Sequence, residues 1–268
     1  INAISKILKE IDLITAQEQY QFINANVNEK LVDNKLNLEF EILETEKFYV
    51  EKINIFGNTI TAESVIRNQL ELDEGDPYNE ILLNKSVNNV KSLNFFKNVS
   101  NETININESK TKIINLSVIE KPTGEISATA GVGTDGTTFG FGVTENNFLG
   151  NGIKLDSNFN ISTESFKGKF SVTNPNFRNT DKLLYLSAEA IETDNYNTYG
   201  YKTNKTGFSI GTNFEYLNDL FFGIGNSNFY EKIETNSTAS SQQQAQEGNY
   251  WDSFLNLDFN YDKRESKV

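Results

Sequence analysis

The side chains available for chemistry limit what this chain can do. Its 268 residues contain neither histidine nor cysteine. It therefore lacks the usual base of a catalytic triad, a thiol nucleophile, thiolate metal ligands and disulfide bonds. The densest run of oxygen ligands, Glu71-Leu-Asp-Glu-Gly-Asp76, does not have the spacing of a calcium-binding loop. We therefore predict a protein that is not an enzyme and that holds no metal ion or cofactor.

The charge and hydropathy of the chain exclude two further classes. The formal net charge is −13 and there is no basic run, so the sequence has no electrostatic footprint for nucleic acid. No stretch approaches the roughly 18 apolar residues that a membrane-spanning helix requires. Neither end of the sequence completes an element, and we expect the chain to be an internal part of a longer protein.

The elements change in character near Lys121-Pro-Thr-Gly124, after which 14 of the 17 glycines lie. Residues 48–121 predict a small α+β domain in the order β-α-α-β-β. A strand over 48–56 ends at Gly57-Asn58, a dipeptide suited to positive φ, and Thr61 is the predicted cap of the next helix. A second helix is predicted over 79–93, followed by strands over 95–106 and 112–119.

Residues 1–47 look like the C-terminal part of a similar unit. A helical period (Ile4, Ile7, Leu8, Ile11) is followed by strands predicted near Tyr20–Val27 and Lys35–Leu43. The sequence therefore predicts an internal repeat whose first copy is incomplete.

Residues 125–268 predict eight strands with apolar and polar residues in alternation. They lie near 125–135, 137–147, 152–163, 165–174, 182–194, 202–216, 219–233 and 250–263. Such alternation fits a soluble sandwich with a shared core or a membrane barrel whose apolar face meets lipid. The predicted length of about 10–15 residues, aromatic residues near the strand ends and alternating short and long loops favour the barrel. The longest loop, 235–249, is predicted to be a mobile, hydrated tip.

The motifs of both parts resemble the BamA family of outer-membrane assembly factors. Residues 48–121 are similar to its POTRA domain, with Ile55-Phe56-Gly57-Asn58 at the strand exit and Leu93-Asn-Phe-Phe96 at the later strand entry. Gly131-Val-Gly133, Asn146-Asn-Phe-Leu-Gly150 and Val172-Thr-Asn-Pro-Asn-Phe177 follow in the family's order. The family barrel has sixteen strands, so this resemblance implies only its N-terminal half, in the outer membrane of a Gram-negative cell with the POTRA domains in the periplasm.

The resemblance implies a function in the folding and insertion of outer-membrane β-barrel proteins. The gate strand at the barrel seam would be residues 125–133, namely Glu125, Ile126, Ser127, Ala128, Thr129, Ala130, Gly131, Val132 and Gly133. Its weak alternation and small residues also fit simple relief of strain in a curved barrel. Gly57 and Asn58 would form the POTRA turn.

The implied partners are nascent β-barrel proteins, outer-membrane lipid, a BamD-like lipoprotein and other subunits of an assembly complex. Glu74 aligns with an acidic residue through which the family contacts that lipoprotein, and it also fits a solvated turn carboxylate. The alternatives are a related POTRA-barrel transporter (TamA-like or a two-partner secretion pore) and a soluble binding module with a sandwich fold.

Overall fold

The structure is a computed structural model that describes residues 23–32, 35–44, 48–106, 108–133, 136–217 and 219–262. The chain separates into two compact units, Ile1–Lys121 and Pro122–Val268. Within those described ranges, no helix is both long enough and apolar enough to cross a membrane.

The first unit begins with an antiparallel pair of strands, β1 (Ile23–Val32) and β2 (Lys35–Glu44). The second strand follows the prediction closely, whereas β1 extends five residues beyond the predicted end at Val27. The helix predicted around Ile4–Ile11 lies outside the described residues.

A three-stranded sheet with two helices forms the rest of the first unit. Its elements are β3 (Tyr49–Phe56), α1 (Glu63–Arg67), α2 (Glu80–Ser92), β4 (Phe96–Ile106) and β5 (Thr111–Glu120). The sheet order is β3-β5-β4, with β3 parallel and β4 antiparallel to the central β5. The predicted β-α-α-β-β fold is confirmed.

One hydrophobic core joins the helices to one face of this sheet. Alternation along β5 buries Ile114, Leu116 and Val118, and helical spacing along α2 buries Leu83, Val87 and Val90 against them. These apolar residues are almost fully withdrawn from water, which is the main driving force for folding this unit.

The cap predicted for the first helix was wrong. α1 begins at Glu63, its N-cap residue is Ala62, and no side chain caps it. Thr61 is instead buried, with its backbone N–H directed to the carboxylate of Glu120. In α2, by contrast, the side chain of Asn79 accepts from the N–H groups of Ile81 and Leu82 and so caps the helix.

The second unit contains eight strands that follow one another as a single antiparallel meander, so that neighbours in sequence are neighbours in the sheet. The strands are β6 (Gly124–Gly133), β7 (Gly136–Phe148), β8 (Ile153–Ser162), β9 (Ser165–Asn174), β10 (Lys182–Asn195), β11 (Tyr201–Leu217), β12 (Leu220–Thr235) and β13 (Gly248–Tyr261). Each lies within two residues of its predicted position. Within the described part of the chain, β6 and β13 each have a strand on one side only, so the sheet is not closed.

The apolar face of this sheet packs against no second sheet. Phe141 and Phe159 are directly opposite each other on β7 and β8, and they are 49% and 41% exposed. Among the described residues of the second unit, Ala239 is the only hydrophobic residue that is buried. A sandwich requires a shared core between two sheets, so the observed sheet fits the predicted half of a barrel and excludes the sandwich.

The longest loop is more structured than its composition predicted. Ser240 and Gln243 form a capping box on a short helix, α3 (Ser241–Gln244). Asn236 donates from its backbone N–H to Gly200 O and from its side chain to Tyr196 O, at 2.8 Å in both cases. The loop therefore contacts the 195–200 turn, whereas the mobility predicted for its tip stays a prediction.

Candidate functional site

The turn after β3 is built around a glycine that no other residue can replace without strain. Gly57 has φ +89°, and a Cβ added there would overlap the carbonyl oxygen of Val118 on β5. The side chain of Asn58 donates to Thr61 O at 3.1 Å and closes the following turn. The structure therefore gives Gly57 and Asn58 a local structural role.

Glu120, at the end of β5, is bound by three consecutive backbone amides of this turn. Its carboxylate accepts from the N–H groups of Thr59 (3.0 Å), Ile60 (3.0 Å) and Thr61 (2.6 Å), and from Thr59 Oγ1 (2.7 Å). Such a run of N–H groups forms a concave site that favours an anion. Desolvation raises the pKa of Glu120, but the hydrogen bonds from Thr59, Thr61 and Ile60 outweigh it and lower the pKa to about 2.

Glu120 was not among the residues predicted from the sequence. Its partner is a turn about 60 residues earlier in the chain, and only the parallel pairing of β3 with β5 brings the two together. The sequence feature that could have indicated this site is the Gly57-Asn58 turn, because positive φ followed by further turn residues commonly exposes successive N–H groups that can bind an anion.

The outer edge of β3 is largely covered by the turn that precedes α2. Gly75 N donates to Val50 O (2.7 Å), Val50 N donates to Asp76 O (2.8 Å), and Tyr78 N donates to Phe48 O (2.8 Å). Backbone groups that an added strand would need are therefore already paired along the first half of β3.

Glu74 extends this cover with its side chain. Its Oε1 accepts from Ile53 N at 3.0 Å and lies 3.7 Å from Arg67 Nη2, which itself donates to Ile53 O at 2.9 Å. The Glu74 side chain is still 45% exposed. It therefore braces β3 and also presents negative charge to solvent, and Arg67, which sequence reasoning missed, is part of the same arrangement.

The opposite edge of the three-stranded sheet is open. β4 pairs with β5 on one side, and no described strand lies on its other side. Its eleven residues include Ile104, which is 44% exposed. An open edge of this length can accept an extended peptide by backbone hydrogen bonding.

The predicted gate strand corresponds to β6, the first strand of the eight-stranded sheet. All ten of its residues are exposed, and it pairs with β7 from Gly124 opposite Glu145 to Gly133 opposite Gly136. A Cβ added at Gly131 or Gly133 would contact no atom within 4 Å. Gly131 and Gly133 are therefore not required by crowding, whereas a Cβ at Gly124 would lie 3.1 Å from the carboxylate of Glu145. At the start of β7, Gly136 has φ +97°, a backbone conformation that suits the second residue of a tight hairpin turn.

The acidic run 71–76 is occupied by internal contacts. Asp73 N donates to the carboxylate of Asp76, and the carboxylate of Glu71 forms an ion pair with Lys85 at 3.1 Å. Across the described residues, no three His, Cys, Asp or Glu side chains come close enough together to hold a metal ion.

The two faces of the eight-stranded sheet differ in polarity, as the register shows. Residues directly opposite each other in antiparallel strands share a face. One face carries apolar pairs such as Phe139 with Ile161 and Leu186 with Ile210. The other carries polar pairs such as Lys169 with Glu189. A sheet of this kind separates a hydrocarbon layer from a wet interior.

Two family models match the chain. The POTRA model, described as a surface antigen variable number repeat, matches residues 48–121. The Omp85 superfamily domain model matches residues 147–268.

Several curated proteins similar to this chain share one name. The chain is 28% identical over 204 residues to the outer membrane protein assembly factor BamA of Neorickettsia risticii, a match that covers 75% of this chain and 27% of the relative. It is 29% identical over 177 residues to the protein of that name from Neisseria meningitidis serogroup B, covering 65% and 20%. The chain thus spans about a quarter or less of the length of these relatives.

A solved structure shows the same fold. The crystal structure of BamA from Haemophilus ducreyi lacking POTRA domains 1–3 aligns with a TM-score of 0.67 at 22% identity. The alignment covers 97% of this chain and 52% of that one. The α+β unit and the eight-stranded sheet therefore correspond to part of a protein that combines POTRA domains with a β-barrel.

Proposed function

We propose that this chain is part of an outer-membrane protein assembly factor, on the support of its matches to the POTRA and Omp85 superfamily models and of its similarity to curated proteins of that function. The protein lies in the outer membrane, with its POTRA unit in the periplasm. Its substrates are nascent β-barrel proteins, and its task is to help their strands enter the membrane.

The observation that carries this proposal is that β6 is the first strand of the eight-stranded sheet and, among the described strands, pairs only with β7. A strand entering hydrocarbon must pair its backbone N–H and C=O groups, since each unmet group costs several kcal/mol. The outer edge of β6 offers such groups in a ladder ten residues long. Small side chains keep this edge weakly packed and weakly specified in register, so different incoming strands can pair with it.

The POTRA unit contributes a second edge. The outer edge of β3 is covered by residues 74–78, so β4 is the side on which an extended substrate segment can add as a strand. The mechanism uses backbone pairing throughout and requires no catalytic side chain.

Site-specific photocrosslinking tests the role of β6. A benzoylphenylalanine replaces Ile126 or Val132 on β6 in the full-length protein, and the matched control replaces Phe159, which lies on the same face but inside the sheet on β8. During assembly of a radiolabelled β-barrel substrate, we expect crosslinks from both β6 positions and none from position 159.

The identity of the crosslinked chain separates the candidate functions. Equal crosslinking of substrate at position 159 and at the β6 positions, or no crosslinking at any of them, would contradict the proposal that incoming strands pair with β6. Capture of a secreted polypeptide without barrel strands assigns the protein to the transporter branch instead.

We further propose that Glu74 contacts a periplasmic lipoprotein partner of the BamD type. Support comes from its exposed carboxylate and from the rigid turn that holds it against β3. Recognition by a basic side chain of the partner would use the carboxylate oxygen that is not bound to Ile53 N.

Two substitutions distinguish this contact from the bracing role of Glu74. Glu74→Gln retains an acceptor for Ile53 N but removes the charge, whereas Glu74→Lys also places a cation beside Arg67. We expect Glu74→Gln to reduce co-purification of the lipoprotein while the POTRA unit stays folded. Asp73→Asn, in the same exposed turn, is the matched control. Unchanged co-purification with Glu74→Gln removes the assignment.

Finally, we propose that residues 1–47 are the C-terminal part of a preceding POTRA domain, that 48–121 are the barrel-proximal one, and that 125–268 are the N-terminal half of the barrel. In support, β1 and β2 form an antiparallel pair, as do β4 and β5 at the end of residues 48–121.

A further inference from the structure

A small polar cluster interrupts the apolar face of the eight-stranded sheet. Asn226 and Asn228 lie on β12, and Ser253 lies on β13. The register places them on the face that carries Ile224, directly opposite Leu257, and not on the polar face.

Hydrogen bonds join the three side chains. Asn226 Nδ2 donates to the backbone carbonyl of Phe254 at 3.1 Å, and Asn228 Nδ2 donates to Asn226 Oδ1. Ser253 Oγ donates to Asn228 Oδ1 at 2.9 Å. Asn226 Nδ2 also donates to Ser253 Oγ at 3.5 Å, so both of its N–H groups have partners. An amide NH₂ can donate twice and a carbonyl oxygen can accept twice, so one N–H group of Asn228 remains available beyond the cluster.

The cluster lies below the outer row of aromatic residues. Tyr230 and Trp251 are directly opposite each other, 45% and 66% exposed, and mark one end of the apolar face. Leu220 and Tyr261 form the opposite row, ten residues away along each strand. That separation is about 33 Å along the strand, or about 25 Å in height at a tilt of about 40°, the usual height of a lipid-facing band.

The polar residues shorten this band on one side of the sheet. Continuous apolar residues on β13 reach only from Tyr261 to Leu255, about 20 Å along the strand and about 15 Å in height. Asn228 lies two residues below Tyr230, and Asn226 lies four residues below it. Uncompensated amides at this depth are costly in hydrocarbon, and polar groups inside a membrane mark functional positions.

We propose that Asn226, Asn228 and Ser253 form a lipid-binding site that hydrogen-bonds the ester and headgroup layer of the leaflet on the side of Tyr230 and Trp251. A lipid ester or phosphate oxygen accepts from the remaining N–H group of Asn228. On β12 and β13, that polar layer therefore lies at the level of Asn226 and Asn228. Phe141 on β7, by contrast, lies between the apolar residues Phe139 and Val143 of the same face and opposite Phe159. This site is separate from β6, and it rests on the proposed membrane location of the sheet.

Spin-label depth measurements test the site in the full-length protein. The chain contains no cysteine, so Leu255→Cys beside the cluster and Phe141→Cys near the middle of β7 can each carry one nitroxide. The protein is reconstituted in dioleoylphosphatidylcholine vesicles, and collisions with a water-soluble nickel complex are compared with collisions with oxygen. We expect several-fold greater relative accessibility to the nickel complex at 255 than at 141.

Substitution of the polar cluster provides a second test of the site. In Asn226→Leu with Asn228→Leu, the label at 255 should become as inaccessible to nickel as the label at 141. Equal accessibility at 255 and 141 in the unsubstituted protein overturns the proposal, and this comparison does not depend on whether the double variant folds. Failure of the protein to insert into any vesicle would contradict the membrane assignment instead, so the two outcomes are distinguishable.

Discussion

At the scale of single residues, Glu120 makes the POTRA unit sensitive to acid. Its pKa of about 2 in the folded protein lies below the ordinary value of 4.5, so the ionised form stabilises the fold. This stabilisation is complete above about pH 4.5 and is lost as the pH falls toward about 2. The full shift corresponds to about 3 kcal/mol, which solvent screening of this partly exposed carboxylate reduces to about 1–2 kcal/mol.

The variant Glu120→Gln should remove this acid dependence. We expect its amide hydrogens at Thr59, Ile60 and Thr61 to exchange faster than those of the unsubstituted protein at pH 7, with the difference shrinking toward pH 3 after correction for intrinsic rates. Hydrogen–deuterium exchange with mass spectrometry measures this directly. Glu102→Gln, an exposed position on β4, is the control. Exchange that is unchanged at pH 7 would show that the amides do not depend on the carboxylate.

Two glycines with similar φ provide a matched pair of substitutions. Gly57 (φ +89°) faces the carbonyl of Val118, whereas Gly75 (φ +99°) has no atom within 4 Å of an added Cβ. Gly57→Ala therefore combines backbone strain with a steric clash, and we expect a loss of about 2–4 kcal/mol. Gly75→Ala carries the strain alone and should cost about 1 kcal/mol. Urea unfolding of the two variants compares them, and equal losses would refute the clash with Val118.

Residue types gave good predictions where the interaction is local. The Gly57-Asn58 turn was predictable because positive φ favours these residue types whatever surrounds them. The cap role predicted for Thr61 was wrong. A threonine before a helix can also be buried, and here its backbone N–H binds the carboxylate of Glu120, which comes 59 residues later in the sequence. Whether Glu74 contacts a partner stays a prediction, although the structure adds its contact with Ile53.

At the scale of elements, each strand of the eight-stranded sheet has one face for lipid and one for water. Phe159 and Asn158 are neighbours on β8 and point to opposite faces. Phe159→Arg places a charge in the hydrocarbon and should cost about 2–4 kcal/mol. Asn158→Arg places the same side chain in the wet interior, beside Asp156 but directly opposite Lys169, and we expect a smaller loss than for Phe159→Arg. Urea titration of the full-length protein in vesicles measures both, and equal costs would contradict the assignment of faces.

The element pattern was predictable because alternation along a strand is local, whereas contacts between loops are not. The eight strands followed from the period of two in the sequence. The order of the 235–249 loop did not, because it depends on Asn236 binding the backbone of a turn about 40 residues earlier. Ser240 and Gln243 have capping-box spacing, so part of this loop could have been recognised.

At the scale of the whole molecule, the apolar residues of the two units have different surroundings. The POTRA unit buries its own core, whereas the described strands of the second unit leave large apolar side chains such as Ile126 and Phe259 exposed, at 77% and 72%. Apolar surface of this extent in water favours association, so lipid or detergent is part of the folded state. Composition alone does not reveal this difference, since it depends on which face of each strand meets a partner.

Trp251 reports on that medium. It is the only tryptophan of the chain, it is 66% exposed, and it lies in the aromatic row with Tyr230. When the full-length protein inserts into vesicles, we expect the emission of Trp251 to shift to shorter wavelength and to be quenched by lipids brominated near the headgroup more than by lipids brominated near the chain end. The difference spectrum between the protein and its Trp251→Phe variant isolates this signal. Stronger quenching from the chain end would place Trp251 at the wrong depth. An unshifted spectrum after insertion would mean that this face of the sheet does not contact lipid.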